Sequence, residues 1–125
     1  MTINEVIAKV DSFCPNNIDR KDKVDFLSTV ERKIINEVMC QYDDVTYDKD
    51  FKRYDPEGSG ETELLAESPY DHLYIHYIMA QIYLILHEQE HYNNEIYIFN
   101  SIYDDYKVHM IQHHRPNYPS RYYVR

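Results

Sequence analysis

The chain has 125 residues, a formal charge of −9, 43% hydrophobic and 28% charged residues, 14 Tyr, no Trp and two glycines, Gly58 and Gly60. That length suits one domain with its own core. Two glycines in a single loop are too few for a fold rich in tight β-turns, for a Rossmann-type site or for a P-loop, and the acidic balance disfavours a free-standing nucleic-acid binder.

Reading from the N-terminus, Thr2-Ile3-Asn4-Glu5 matches a capping box, and Ile3, Val6, Ile7 and Val10 recur at helical spacing. Pro15 ends this first helix. A second helix is predicted from about Asp19 to Cys40. Its apolar stripe is Val24, Leu27, Val30, Ile34 and Val38, with Lys23, Glu31, Arg32 and Lys33 outside it. Residues 42–67 lose helical periodicity and form an acidic insertion. Within it Phe51–Tyr54 and Thr62–Ala66 flank a turn at Asp55–Gly60 and are expected either to pair as a small hairpin or to run as an irregular loop. Ser68-Pro69-Tyr70-Asp71 reads as a helix start. The third helix, Leu73 to Leu86, is apolar on nearly every face, so it is either central or covered on one side by another subunit. A fourth helix, about Tyr92 to His114, carries Tyr92, Ile96, Phe99, Tyr103, Tyr106 and Met110 at steps of three and four, and is expected to pack antiparallel on the third. The expected fold is therefore all-α: a helical domain over residues 1–114, and an extended C-terminal arm over 115–125.

Charge is distributed unevenly. Residues 42–71 hold ten acids against three bases, a net −7, whereas the last eleven residues hold Arg115, Arg121 and Arg125 and no acid. An acidic middle and a basic tail containing Tyr118, Tyr122 and Tyr123 suit contacts between copies or with a partner, because Tyr and Arg are the usual anchors of protein interfaces. The candidate interaction residues are Arg115, Tyr118, Arg121, Tyr122, Tyr123 and Arg125 in the arm, and Asp55, Glu57, Glu61 and Glu63 in the acidic segment.

His87-Glu88-Gln89-Glu90-His91 matches H-E-x-x-H, which on a helix puts two imidazoles on one face for zinc with a glutamate as base. A charged Glu90 inside the motif, Asn94 where the extended form has Gly, and its position at a helix junction count against a zinc site. His72/His76 and His109/His113/His114 read as hydrogen-bonded or dipole-stabilising surface histidines. Neither Cys14 nor Cys40 belongs to a CxxC pair. No signal-like or membrane-spanning apolar segment is evident. The residues therefore predict a soluble intracellular protein that is not an enzyme and uses no cofactor or metal. The alternative is a zinc-dependent hydrolase using His87, Glu88 and His91.

The stretch from Pro69 to Ile82, with His91-Tyr92-Asn93-Asn94 and Phe99-Asn100, resembles small proteins of tailed bacteriophages and prophages of Firmicutes, encoded in the structural cluster just after the major capsid protein. Met1–Glu5, Asn36-Glu37-Val38 and Thr62–Leu65 fit the same pattern, so the resemblance covers most of the chain. Members often carry a Gly-Glu pair at the third turn, where this chain has His87-Glu88. The resemblance implies a virion structural protein of the head–tail connector (adaptor) kind, assembled in the host bacterial cytoplasm. Its implied partners are copies of itself in a ring, the portal, and tail or stopper proteins. DNA would pass through without specific binding, and no membrane is involved. Another virion role, in tail completion or head decoration, is the neighbouring alternative.

Overall fold

The computed structural model describes residues 1–115, in which four α-helices, α1 (Ile3–Phe13), α2 (Arg20–Glu37), α3 (His72–Ile85) and α4 (Gln89–His113), surround one core. The all-α expectation is met. α1 begins with the complete capping box: the Glu5 amide donates to Thr2 Oγ1 at 3.2 Å, and the Thr2 amide donates to Glu5 Oε1 at 2.9 Å. These bonds hold the Glu5 carboxyl below the usual carboxylate range. α2 stops at Glu37, and a 3-10 turn over Met39–Gln41 takes up the length expected to be helical up to Cys40.

α3 is the central element, with α1, α2 and α4 all packed on it. Leu73, Tyr74, Ile75, Ile78, Met79, Ala80 and Ile82 are buried within this one chain. Of the two sequence readings of this helix, the central one therefore accounts for it up to Ile82. Only its last turn is left open, with Leu84, Ile85 and Leu86 at 45–48% exposure. α4 runs back along α3 and buries Phe99, Tyr103, Tyr106 and Met110, with Tyr92 and Ile96 half-buried at the near end. Aromatic pairs tie the two helices, Tyr77 on Phe99 at 5.3 Å between ring centres and Tyr70 on Tyr106 at 5.7 Å.

One local expectation changes and one open reading is decided. α3 begins at His72, not at the Ser68-Pro69 start. Asp71 precedes the helix without capping it, because its buried carboxylate faces the N-terminal ammonium of Met1 at 3.6 Å. Of the two readings of the loop, the irregular one holds: Phe51–Tyr54 and Thr62–Ala66 do not pair as a hairpin, and Glu63 instead forms a β-bridge with Thr2. The reason is competition for backbone groups. Ile3 and Asn4 amides donate to the carbonyls of Thr62 and Gly60 at 3.2 and 2.9 Å, the Leu64 amide donates to the Met1 carbonyl at 3.1 Å, and the Tyr54 amide is taken by Ser28 Oγ at 2.9 Å. Gly60 permits this approach: a Cβ there would lie 2.5 Å from Nδ2 of the Asn4 side-chain amide. That amide is itself fixed, since Asn4 Oδ1 accepts from Arg20 and Nδ2 donates to Glu61.

Candidate functional site

The long segment between α2 and α3 is fastened to the helices by a buried carboxylate that its charge alone would assign to solvent. Glu31, expected outside the α2 stripe, is fully buried. Three donors converge on it: Tyr74 Oη at 2.5 Å on Oε1, and Tyr54 Oη at 2.6 Å and the Leu65 amide at 3.0 Å on Oε2. Tyr74 Oη also accepts from the Ala66 amide at 2.8 Å. One side chain of α2 thus grips both arms of the loop, at Tyr54 and at Leu65, and the middle of α3. Burial pushes the Glu31 carboxyl up from its usual range, and the three donors pull against that. Burial and the neighbouring Glu31 charge push both tyrosine hydroxyls up, so they remain donors.

Lys23, also expected outside, is buried and pairs with Asp11 at 2.7 Å, joining α2 to α1. Arg32 Nη1 donates to the Lys52 carbonyl at 2.7 Å, and Arg20 Nε donates to that of Pro56 at 3.0 Å, so α2 holds the loop along its length. Tyr103 Oη donates to Glu37 Oε1 at 2.8 Å, with the ammonium groups of Lys33 and Lys107 near its ring. The tyrosine richness of the chain thus has a structural use, as long donors reaching carboxylates from inside the core.

The candidate acids of the loop are placed as follows. Glu63 pairs with the N-terminal ammonium at 3.0 Å, Glu61 accepts from Asn4, Asp55 accepts from the amide of Glu57 within its own turn, and the Glu57 side chain is exposed. Glu61 and Glu63 are thereby engaged with the N-terminal segment. Arg115 is exposed at the end of α4. Tyr118, Arg121, Tyr122, Tyr123 and Arg125 lie outside the described residues.

A cavity of about 400 Å³ lies at the root of the arm, between the end of α4 and the stretches 44–46 and 64–70. Met39, Leu64, Tyr106 and Met110 supply buried walls, and Asp44, Glu67, Tyr70, His109 and His114 line the rest. His114 Nδ1 is 3.1 Å from Asp44 Oδ2, and the His109 ring lies against Tyr70 at 5.0 Å. Its neighbour His113 places Nδ1 2.9 Å from the His109 carbonyl, as expected for a residue in the last turn. His76 meets Glu95 at 2.8 Å and so links α3 to α4.

The H-E-x-x-H segment is not on one helix. His87 has φ 59°, the left-handed residue that closes α3, with its amide donating to Leu84 and that of Glu88 to Tyr83. Glu88 then precedes α4, and His91, in its first turn, stacks on Tyr83 at 4.9 Å. The shared helical face on which the motif's chemistry depends does not exist here. Among the described residues no three His, Cys, Asp or Glu side chains are grouped to hold a metal ion. No helix among them is long and apolar enough to cross a membrane. His87→Gly should accordingly stabilise the protein by about 1 kcal/mol, because glycine takes left-handed backbone without a Cβ clash. A thermal melt reads this as a higher midpoint. Metal analysis of the same sample should find no stoichiometric zinc in either form; a midpoint lowered by loss of bound zinc would contradict the assignment.

Comparison with protein-family models, with curated proteins and with solved structures returns no match for this chain.

Proposed function

We propose that this chain is a structural component of a phage neck, a head–tail connector that forms a ring beneath the portal and joins capsid to tail. The observation that carries this reading is the pairing of two opposed interaction elements on one small helical domain. A net −7 segment is fastened to α2 by Glu31, Ser28, Arg20 and Arg32, and a basic, tyrosine-rich arm follows α4 in the sequence. Anchoring an acidic loop at so many points is costly in conformational entropy, and a presented surface is a use that justifies it.

The resemblance to small phage proteins supports the same reading. The family's Gly-Glu pair would fall at His87-Glu88, and the first of these has the left-handed backbone that glycine favours. An acidic ring lining also suits DNA passage, since like charge keeps the genome from adhering to the channel. The open apolar turn Leu84–Leu86 is a further surface available for assembly.

Cryo-electron microscopy of the virion neck tests the proposal. The expected result is density for this fold in a ring adjoining the portal. Density for it on the head surface or at the tail tube instead would assign it a different virion role, and its absence from purified particles would refute the proposal.

A further inference from the structure

We infer that the cavity at the end of α4 is the receptor for the C-terminal arm, residues 115–125, of a second copy of this chain. The inference rests on the reading of the protein as one that assembles with its own copies, and it names the contact that joins them.

Chemistry matches first. The arm reads Arg-Pro-Asn-Tyr-Pro-Ser-Arg-Tyr-Tyr-Val-Arg, with three cations, three phenol rings and no acid. The cavity offers the complementary set. Asp44 and Glu67 supply carboxylates at its edge, Tyr70 and Tyr106 supply ring surface, and Leu64 and Met110 supply an apolar floor. A guanidinium set between carboxylates and aromatic faces is a favourable arrangement for arginine, which pairs with the one and stacks on the other. A tyrosine beside it fills the apolar part and keeps its hydroxyl wet. The loop that carries the acids is fixed before any partner arrives, because Glu31 holds Leu65, two residues from Glu67. A preorganised receptor loses less entropy on binding.

Position then selects the copy. His114 forms part of the cavity rim, so the arm begins where the receptor is. The backbone of His114 is extended, φ −135° and ψ 156°, and Arg115 precedes Pro116, which disfavours helical backbone at Arg115. An arm extended from that point would carry Arg121 and the residues after it about 20 Å or more from the rim, beyond its own cavity. Fully extended, the ten residues beyond Arg115 reach about 33 Å, enough to cross to a neighbouring domain of this size. Head-to-tail insertion of each arm into the next copy is a heterologous contact, the kind that closes into rings.

The test uses the full-length protein and a fluorescent synthetic peptide of residues 115–125. Anisotropy should show saturable binding that weakens with added salt, and Glu67→Lys should weaken it about tenfold or more. Glu67 is exposed, and circular dichroism of the variant should match the parent. In sedimentation, Arg121→Glu should reduce self-association of the full chain. Combining it with Glu67→Lys should restore association. No saturation at millimolar peptide, or equal binding by Glu67→Lys, would overturn the inference. So would a strictly monomeric protein that binds the peptide only after its own arm is removed, since the arm would then occupy its own cavity. Peptide binding is read without particles, so its failure leaves the neck assignment standing. Conversely, loss of the neck assignment would leave a measured arm–cavity contact intact.

Discussion

Glu31→Ala is expected to cost about 3–5 kcal/mol and to free the acidic segment from the helices. The substitution strands the buried Tyr74 hydroxyl at about 1–3 kcal/mol, takes the acceptor from the half-buried Tyr54 hydroxyl and Leu65 amide at a smaller cost, and opens a cavity under α3. Denaturant unfolding gives the magnitude. Hydrogen exchange gives the location, with protection lost first at Tyr54, Leu65 and Ala66. A loss under about 1 kcal/mol, with exchange unchanged, would show that the network is dispensable. Glu31→Gln is the finer probe. It keeps the volume and part of the bonding, but it cannot accept from three donors as a carboxylate does.

The same residue sets a pH dependence. Its folded pKa is raised by burial. Between the ordinary carboxylate range and that raised value, the folded chain retains a proton that the unfolded chain has released. By linkage, this contribution to stability falls as pH rises through the window. The stability advantage of the parent over Glu31→Gln should therefore be greatest in mild acid and shrink toward neutrality. An advantage that grows with pH would mean the carboxylate is stabilised as an anion, and that the donors outweigh burial.

Truncation after His114 is expected to leave the fold intact and abolish assembly. Every buried apolar residue of the described core lies between Ile3 and Met110, and the His114–Asp44 contact is retained. The melt should move by no more than about 0.5 kcal/mol in stability terms, the usual range for changes away from the core. If the proposed neck role holds, the truncated form should yield heads without attached tails, scored by electron microscopy of lysates. Infectious particles at the parental level would show that the arm has no part in assembly.

The sequence by itself determined the four helices and their order, and left the third either central or covered by another subunit. Helical periodicity and capping are local signals, and here they agree with the tertiary packing: the Thr2–Glu5 box and the stripe of Phe99, Tyr103, Tyr106 and Met110 appear where the pattern puts them. The acidic loop was legible as acidic and long, but not as anchored. Glu31 stands at the regular spacing 24, 27, 31, 34, 38 on the buried side of α2, a signal present in the chain. A glutamate is nonetheless assigned to solvent by default, because burying a carboxylate is costly unless donors meet it. Those donors, Tyr54, Leu65 and Tyr74, are 23 to 43 residues away, and no local pattern announces them. The hairpin fails to form for the same cause, since the N-terminal residues Met1–Asn4 reach across about sixty positions to take the groups it needed. The H-E-x-x-H letters likewise depend on a backbone angle at His87 that only the closing turn of α3 decides. Likewise, Asp44, Glu67, Tyr70 and His114 carry no shared motif, and only the packing of α4 against the loop gathers them at the root of the arm.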